Sequence, residues 1–358
     1  MTDDKNSVSV LDEPGEIRSG EELDAKIITD YLKSKLPQLQ GEAQIKQFPS
    51  GASNLTYSVK FDNADYILRR PPAGHKDKSA HDMGREYNVM SSLKEQFPYV
   101  PAMIDFCQDE SVISSDFYVM ERLKGIIVRK NFPKGLNLSE ADTRNLCLKY
   151  IDRLVDLHKV DVEKAGLQDL GKPNGYVQRQ IDGWARRMDA AATDDMADFS
   201  RTVSWLNDNN PGEVGACLIH NDYRLDNVVL DPDNPFNIIG VLDWEMCTLG
   251  DPLMDLGNSL AYWVEASDSD LFKMLRMQPS HLPGMLTRQE IVDYYGEKSG
   301  YTTDNFNFYL VYGYFRLAIV MQQLYFRFKK GQTKDERFGA LNVVIDEFQK
   351  QCESLIDS

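Results

Sequence analysis

The stretch Leu218–Trp244, LIHNDYRLDNVVLDPDNPFNIIGVLDW, decides the fold of this chain. Within it, His220, Asp222 and Asn227 follow the spacing H-x-D-x(4)-N, and Asp243 stands at the end of an apolar run. Short apolar segments before, within and after this polar loop predict strands. The predicted strands are 217–219, 227–230 and 238–242. A loop between strands and a hairpin that returns Asp243 therefore predict one cluster of polar side chains.

These residue types fit the transfer of a phosphoryl group to a hydroxyl. The reaction needs a carboxylate beside the accepting hydroxyl, and Asp222 is the candidate catalytic base. It also needs oxygen ligands that hold Mg²⁺ against the phosphates, and Asn227 and Asp243 are the candidate metal ligands. His220 is predicted to order the loop. The pattern thus predicts a phosphotransferase that depends on ATP and Mg²⁺.

The alternative interpretation of this loop is a solvated acidic turn between two strands. Three further carboxylates, Asp226, Asp231 and Asp233, are predicted to form turns or to face solvent. The sequence contains no Walker loop, no H-E-x-x-H and no G-x-S-x-G, which argues against a P-loop fold, a zinc enzyme and a serine hydrolase. Trp244 follows Asp243 where protein kinases carry Phe-Gly, which weakens a protein-kinase interpretation.

A candidate nucleotide site lies upstream of this loop. Small and polar residues after a predicted strand, Gly51, Ser53 and Asn54, permit close approach of backbone N–H groups to phosphate. Arg69, at the end of another predicted strand, is placed to meet the phosphates and to pair with Glu86 in the next helix. The alternatives are a plain hairpin turn and two surface charges. The order of these segments along the chain favours the functional interpretation of each.

Hydrophobic periodicity divides the chain into a sheet-rich part and a helical part. Residues 43–123 predict short strands with one helix, 80–96, inserted after the third strand. Farther along, Ser139 and Thr287 begin candidate capping boxes. The other predicted helices are 21–36, 138–159, 177–209, 287–298, 304–330 and 335–356. The predicted divisions are a flexible tail at 1–20, an N-terminal lobe at 21–123 and a C-terminal lobe at 124–358.

Composition excludes several functional classes. Hydrophobic side chains make up 42% of the 358 residues and charged ones 27%, which is enough apolar material for two lobes. A net charge of −16 argues against a general nucleic-acid-binding surface. No stretch is long and apolar enough to predict a membrane span, and the acidic N-terminus does not resemble a signal peptide. The five scattered cysteines form no CxxC pair, so a reducing cytoplasm is the expected location.

The motif-bearing segments resemble the aminoglycoside phosphotransferase, or choline-kinase-like, family. The closer resemblance is to a branch found as stand-alone bacterial proteins and as kinase domains fused to acyl-CoA dehydrogenases. The segments that carry it are QFPSGASNLTYSV, YILRRPPAG, AHDMGREYNVM, LIHNDYRLDNVVL and GVLDWEMCTLGDPLMDLG. The resemblance extends from about residue 20 to the C-terminus. It implies an α+β, protein-kinase-like bilobal fold with a small antiparallel-sheet N-lobe, a mostly helical C-lobe and ATP in the cleft.

The resemblance also implies roles for individual residues. Asp222 matches the family's catalytic base, and Asn227 and Asp243 match its Mg²⁺ ligands. Asp251 and Asp255 match the branch, and we interpret them as structural braces of the catalytic loop. The segment 117–123 resembles an edge strand that leads into the linker between lobes. Kinases bind adenine through backbone groups there, and the candidate contacts are Glu121 and Leu123.

Three positions depart from the family pattern. The nucleotide loop has Ser50-Gly51 where two glycines are usual, and Asn221 replaces the glycine that follows the histidine. Arg69 or Arg70 replaces the lysine that contacts phosphate in most kinases. Arginine keeps the charge but presents a planar fork, so the geometry of phosphate binding changes.

The acceptor is expected to bind in the helical lobe, opposite ATP, as a small molecule that carries a hydroxyl. Residues 304–330 hold the cations Arg316, Arg327, Lys329 and Lys330 and the aromatic residues Tyr309, Tyr312, Tyr314 and Phe315. This segment is either a core helix with a basic end or a groove for an anionic amphiphile, such as a hydroxyacyl-CoA. An aminoglycoside or choline-type kinase, a nucleotide-binding pseudokinase that serves as an interaction module, and a protein kinase remain alternatives.

Overall fold

The computed structural model describes residues 10–49, 54–72, 82–333 and 335–358. An antiparallel sheet forms the base of the N-terminal lobe. Its strands are β1 (Gln44–Gln47), β2 (Leu55–Lys60), β3 (Asp65–Arg70), β4 (Met103–Cys107) and β5 (Phe117–Glu121). They are hydrogen-bonded in the order β1-β2-β3-β5-β4. The expected small antiparallel lobe is therefore present.

Alternation along β3 divides the apolar side chains of this lobe between two cores. Leu68 packs in the cluster beneath helix α1 (Ala25–Lys35), whereas Ile67 belongs to the cluster that continues into the C-terminal lobe. Successive side chains of a strand point to opposite faces of the sheet. Arg69 therefore shares the face of Ile67, and Arg70 shares the face of Leu68.

Strand β5 is not an edge strand, and that prediction is wrong. It lies between β3 and β4, with Tyr66 opposite Glu121 on one side and Cys107 opposite Phe117 on the other. The short helix α3 (Glu110–Ile113) joins β4 to β5 and allows the two strands to pair. Helix α2 (Met83–Leu93) follows β3 and packs on the face of the sheet that points toward the cleft.

The C-terminal lobe is mostly helical, as predicted. Its helices are α4 (Glu140–His158), α5 (Tyr176–Ala190), α6 (Ser200–Asp208), α7 (Pro252–Ala261), α8 (Asp270–Leu275), α9 (Arg288–Ser299), α10 (Asn307–Lys329) and α11 (Leu341–Ile356). Its strands are β6 (Ile126–Ile127), β7 (Cys217–Ile219), β8 (Val228–Leu230), β9 (Ile238–Val241) and β10 (Thr248–Gly250). Strands β8 and β9 form an antiparallel hairpin, and β7 pairs with β10. These short strands carry the polar loop predicted from the sequence.

Local signals predicted helix starts well. The capping boxes at Ser139 and Thr287 are confirmed, with Asp142 and Glu290 as their reciprocal partners. The single helix predicted over 177–209 is wrong, because the chain turns between α5 and α6.

A contact from α10 explains the break between α5 and α6. Gln322 of α10 donates to the carbonyl of Ala191 at 2.8 Å and to the Thr193 hydroxyl at 3.1 Å. Nearby, the Tyr325 hydroxyl donates to Asp195 at 2.6 Å. The first of these bonds satisfies the Ala191 carbonyl, which a continuous helix would have satisfied locally, and the other two fix side chains of the turn.

Helix α10 is a core helix. Of the two alternatives that the sequence left open for residues 304–330, a core helix or a groove, the structure shows the core helix. Tyr309, Tyr312, Tyr314 and Phe315 are buried, so they do not line a groove. Arg316 is also buried, and its Nη2 donates to the carbonyl of Asn221 at 3.1 Å. The long helix thus touches the polar loop through one cation.

The segment 10–20 belongs to the predicted tail, and the structure gives it specific partners. Gly15 exchanges two backbone hydrogen bonds with Gln47 of β1, at 2.8 and 3.1 Å. Asp12 pairs with Arg129 at 2.7 Å. This segment therefore lies against both the sheet and the region that follows the linker.

The structure gives the state of the cysteines and the character of the helices. All five cysteines are free and buried. Within the described ranges, no helix combines the length and the apolar character needed to cross a bilayer.

Candidate active site

A cavity of about 420 Å³ lies between the two lobes. Six of the predicted site residues line it: Arg69, Glu121, Leu123, Asp222, Asn227 and Asp243. The apolar part of the lining comes from both lobes, with Ile67 and Met120 from the sheet and Leu242 from the C-terminal lobe. Residues from distant parts of the sequence therefore meet at one cleft.

The polar loop begins with a residue in the left-handed conformation. Asn221 has φ of +66°, a backbone region that favours glycine. Asparagine tolerates this region better than most other residues, which explains how it can replace the family's glycine. Its side chain is also used, because Nδ2 donates to the carbonyl of Met246 at 3.1 Å and Oδ1 accepts from the Tyr176 hydroxyl at 3.2 Å.

A fully buried carboxylate holds this loop from below. Asp255 of α7 accepts the backbone N–H groups of His220 at 2.8 Å and Asn221 at 2.7 Å, and it contacts His158 Nε2 at 3.0 Å. Burial alone would raise the pKa of Asp255. The hydrogen bond and charge of His158, with His220 and its N–H, outweigh burial and lower that pKa below its ordinary value. The interpretation of Asp255 as a brace is confirmed.

Asp251 does not brace the loop directly. One of its carboxylate oxygens accepts the N–H groups of Leu253 and Met254 and so caps α7. The other oxygen accepts the N–H of Val214 at 2.7 Å. Asp251 thereby positions the start of the helix that carries Asp255.

His220 orders the loop, as predicted. Its Nε2 lies 2.9 Å from the carbonyl of Leu242, and its Nδ1 accepts the N–H of Asp222 at 3.3 Å. The ring therefore links the catalytic loop to the strand end that precedes Asp243. Neither ring nitrogen is left to act as a base toward the cavity.

Asp222 and Asn227 lie side by side at the cavity floor. Asn227 Nδ2 donates to the backbone carbonyl of Asp222 at 2.8 Å and to its Oδ2 at 3.1 Å. This arrangement engages the amide nitrogen of Asn227 and leaves its amide oxygen as the atom that could contact a ligand. The Asp222 side chain is 20% exposed, so a substrate can reach it.

Asp243 reaches the same cavity from the end of β9. It has φ of +68°, which aims its carboxylate sideways from the strand direction. One oxygen lies 3.3 Å from Arg69 Nη2. Within the described residues, no group of three or more His, Cys, Asp or Glu side chains could hold a metal. A Mg²⁺ site here would have two protein oxygen ligands, which fits an ion that usually keeps phosphate oxygens and water as its other ligands.

The predicted ion pair of the N-terminal lobe is formed. Arg69 Nη1 lies 2.5 Å from Glu86 Oε1 and 3.2 Å from the Tyr118 hydroxyl, deep beneath the sheet. Burial disfavours the charged guanidinium, but Glu86, Tyr118 and Asp243 more than offset it and raise the pKa of Arg69. The group therefore remains a cation at the cleft.

Arg70 lies on the other face of the sheet and is not in the cavity lining. Its Nη2 donates to the Tyr57 hydroxyl at 3.1 Å and to the carbonyl of Glu21 at 3.1 Å. Of the two arginines that the sequence left open, Arg69 is the one beside Asp243.

The predicted nucleotide loop is described only in part. Gly51 and Ser53 lie outside the described residues. Asn54 is buried, and its Nδ2 donates to Glu245 Oε2 at 3.3 Å, across the cleft. Its amide therefore also links the two lobes.

The linker residues occupy the far end of the cavity. Glu121 Oε2 accepts the N–H of Ala102 at 3.1 Å, and the Glu121 N–H donates to the carbonyl of the same residue at 2.8 Å. Leu123 packs so closely on Gly240 that an added Cβ there would lie 2.3 Å from Leu123 Cδ1. The Leu123 side chain and the paired backbone of Glu121 therefore shape this end of the cleft.

Sequence reasoning missed Arg85. Its guanidinium donates to the carbonyls of Glu245 at 3.1 Å and Cys247 at 2.6 Å, which fixes the turn after Asp243 to α2. Nothing in its local pattern marks this role, because the two carbonyls lie about 160 residues away.

Arg224 was also missed, although its position two residues after Asp222 is a usable signal. Its Nε lies 3.3 Å from both Asp222 and Asp226, and its guanidinium lies over the Tyr262 ring. Asp226 was predicted to form a turn or to face solvent. It lies in the short 3₁₀ helix Leu225–Asn227, which agrees with the turn, but it also lines the cavity, and burial raises its pKa. Asp231, by contrast, accepts the N–H of Asp233 in a turn, as predicted.

Comparison with known proteins identifies the family. The sequence model of the phosphotransferase enzyme family matches residues 44–290. The chain belongs to this family. The likeness to aminoglycoside phosphotransferases and to the kinase-bearing acyl-CoA dehydrogenases, expected from the motifs, is confirmed.

Relatives and solved structures place this phosphotransferase more closely. It is 33% identical over 306 residues to mouse acyl-CoA dehydrogenase family member 10. This alignment covers 85% of the chain and 28% of the mouse protein. The chain spans less than half the length of such curated relatives. A Ralstonia eutropha protein assigned as an aminoglycoside phosphotransferase is 26% identical, with a TM-score of 0.79 over 93% of this chain and 98% of that one.

A more distant structure shares the fold alone. Spectinomycin phosphotransferase, solved with ADP and spectinomycin, superposes with a TM-score of 0.58 at 14% identity, over 92% of this chain and 99% of that one. Together these findings establish a kinase-like α+β fold and a small-molecule kinase that transfers phosphate from ATP to a hydroxyl.

Proposed function

We propose that this kinase acts on an anionic small molecule with an apolar portion, such as a hydroxyacyl-CoA, and uses Asp222 as its catalytic base. The observation that carries the residue assignment is the convergence of Asp222, Asn227, Asp243 and Arg69 on one cavity. No other chemistry considered from the sequence uses this set. The acceptor class rests on separate observations around Arg224.

The role of Asp222 follows from its position. A general base must be accessible and must lie within hydrogen-bond reach of the hydroxyl proton. Asp222 is partly exposed, and Asn227 and Arg224 hold its carboxylate in place. In the proposed reaction, Asp222 accepts or orients the hydroxyl proton as the oxygen attacks the γ-phosphate.

Asn227 and Asp243 would hold Mg²⁺ between them and the phosphates. Amide and carboxylate oxygens are ligands that this ion prefers. When bound, the ion would neutralise charge on the transferring group. Arg69 would add a fixed positive charge beside Asp243, and its contact with Glu86 would keep the guanidinium from moving with the substrate.

The base of ATP would lie at the linker end. Apolar side chains of both lobes, Ile67, Leu123 and Leu242 among them, line the cavity there. Such surfaces stack on a purine, while backbone groups beside Glu121 are available to its polar edge. The phosphates would then extend toward Asp222.

The acceptor side of the cavity offers an apolar surface beside a paired arginine. Arg224 contacts Asp222 and Asp226 and also donates to the sulfur of Met277, which lines the cavity next to it. On the same segment, Met274 and Leu275 are exposed by 61% and 37%. Met277, the member of this segment that lines the cavity, is itself 44% exposed, and exposed apolar side chains of this kind are typical of a surface that binds an apolar group.

A polycationic antibiotic fits this side less well. The carboxylate of Asp226 already contacts Arg224, so it is paired with a cation of the protein before any amine arrives. The relatives named for acyl-CoA dehydrogenases add support for a CoA thioester acceptor. The structural neighbour assigned as an aminoglycoside phosphotransferase supports the alternative acceptor.

The test is ADP release and product mass with Mg·ATP and a matched panel of acceptors. Hydroxyacyl-CoAs with the hydroxyl at successive positions are compared with neutral N-acetylcysteamine thioesters of the same acids, with choline and with aminoglycosides. We expect turnover with a hydroxyacyl-CoA, and a KM at least about tenfold lower than for its neutral thioester because a charged contact is lost in the latter.

Two variants make the test specific. Met277→Ser should raise KM more for long acyl chains than for short ones, and Asp222→Asn should lower the turnover of every acceptor by about 10³-fold. Turnover of aminoglycosides without turnover of any hydroxyacyl-CoA would overturn the acceptor class. Nucleotide binding with no turnover of any compound would favour the interaction-module alternative.

A further inference from the structure

The N-terminal segment 12–18 lies beside the linker, and its Asp12 lines the cavity. Gly15 pairs with Gln47 of β1 through two backbone hydrogen bonds, and the N–H of Arg18 donates to Gln47 Oε1 at 2.8 Å. At its other end, the N–H of Asp12 donates to the carbonyl of Gly125, just past the linker, at 3.2 Å. The segment therefore runs from the sheet to the linker.

Charged side chains hold the segment in this position. Arg122 Nη2 donates to the carbonyl of Asp12 at 3.3 Å and to Glu13 Oε2 at 2.8 Å. The same guanidinium lies 5.5 Å from the centre of the Phe48 ring, which lines the cavity. The Arg122 side chain is only 8% exposed, so this anchor is built into the lobe.

Asp12 is the residue of this segment that lines the cavity. Its Oδ1 lies 2.7 Å from Arg129 Nη1, and its side chain is 17% exposed. Arg129 and Ile127, which follow the linker, line the same end of the cavity. A carboxylate that is fixed on one side by an arginine and open on the other toward a ligand cavity is a preorganised acceptor.

We propose that Asp12 accepts a hydrogen bond from a ribose hydroxyl of the bound nucleotide and that the segment 12–18 is part of the nucleotide site. The inference rests on the proposed nucleotide orientation, with the base beside Leu123 and the phosphates toward Asp222. Between these two ends, the sugar lies at the cavity mouth, on the side where Asp12 meets Arg129. A ribose diol offers two donors there, and a fixed carboxylate accepts from them well.

The experiment measures nucleotide binding by calorimetry in the full chain, with no acceptor present. The probes are the Mg²⁺ complexes of ADP, 2′-deoxy-ADP and 3′-deoxy-ADP. Wild type should bind ADP about tenfold more tightly than at least one deoxy analogue, the factor expected for one charge-assisted hydrogen bond. Asp12→Ala should weaken ADP binding about tenfold and remove this preference, and Asp12→Asn should have an intermediate effect.

Glu13→Gln is the matched control, because Glu13 also pairs with the segment's arginine anchor but does not line the cavity. It should leave the preference for ribose unchanged. If wild type shows no preference, or if Asp12→Ala weakens all three nucleotides equally, Asp12 has only a structural role and the inference is wrong. If wild type binds no nucleotide at all, it is the proposed function that fails.

Discussion

Asp222 and Asp255 serve the same loop from different depths. Asp222 lies in the loop and keeps a fifth of its side chain exposed, whereas Asp255 lies beneath it on α7 with none exposed. Both carboxylate oxygens of Asp255 accept backbone N–H groups, and one of them also contacts His158. Asp222 keeps an accessible carboxylate edge toward the cavity. The contrast teaches that reactive carboxylates need access, whereas bracing carboxylates need complete burial with complete pairing.

The largest expected effect comes from Asp222→Asn. Removing a general base should lower kcat by about 10³-fold, within the usual range for such groups. Because the side chain is partly exposed and the amide is nearly isosteric, the midpoint of thermal unfolding should change little. Nucleotide affinity, measured by calorimetry, serves as the control. A variant that keeps more than a tenth of wild-type kcat would remove Asp222 from the reaction.

Asp255→Asn should chiefly lower stability, whereas Asp222→Asn should chiefly lower kcat. The amide cannot accept both backbone N–H groups and also serve His158 as the carboxylate does, so a buried donor loses its partner. We expect a loss of about 3 kcal/mol in the free energy of unfolding, measured with urea. Asp346→Asn on the exposed face of α11 is the matched control and should be neutral. An unchanged free energy for Asp255→Asn would contradict its role as a brace.

The stability that Asp255 contributes should depend on pH. The pKa of Asp255 is lower in the folded protein than the ordinary aspartate value, which is about 3.9 in an unfolded chain. Its contribution to stability is therefore complete above that value and is lost as pH falls through the folded pKa. Urea unfolding from pH 6 to pH 3 should give a shallower acid loss for Asp255→Asn than for wild type. Equal slopes would mean that Asp255 does not carry this linkage.

The smallest effect concerns Asn221, which precedes Asp222 in the loop and donates its backbone N–H to Asp255. Both Asn221→Gly and Asn221→Ala remove the side-chain bonds to Tyr176 and Met246, but only alanine is strained at φ of +66°. Alanine should therefore be less stable than glycine by about 1 kcal/mol in urea unfolding. If the two variants are equally stable, the left-handed backbone at this position is not under strain.

Much of the site followed from sequence because its parts are local. The spacing from His220 to Asn227 fits within one loop, so the relative positions of Asp222 and Asn227 depend on a few backbone angles. The pair Arg69–Glu86 was also predicted, since a strand end and the following helix meet near each other. Arg85 was not predicted, because its partners are backbone carbonyls of the other lobe.

The errors have a common cause in long-range contacts. The break between α5 and α6 depends on a contact with Gln322, about 130 residues away. The local helical pattern cannot predict a contact with so distant a residue. The sequence around Asp226 predicts a turn, but only the packing of the C-terminal lobe brings its side chain into the cavity beside Arg224. The same holds for Asp12, whose partner Arg129 lies beyond the linker.

The sequence by itself determined the type of chemistry, the order of the lobes and the starts of the capped helices. Each of these depends on residues within a few positions of one another, where propensity and spacing act directly. Only the tertiary structure decided that Arg69 rather than Arg70 faces Asp243, that Asp255 is fully buried, and that Asp12 of the N-terminal segment lines the cavity. These outcomes depend on strand register and on packing between distant segments, which no local pattern specifies.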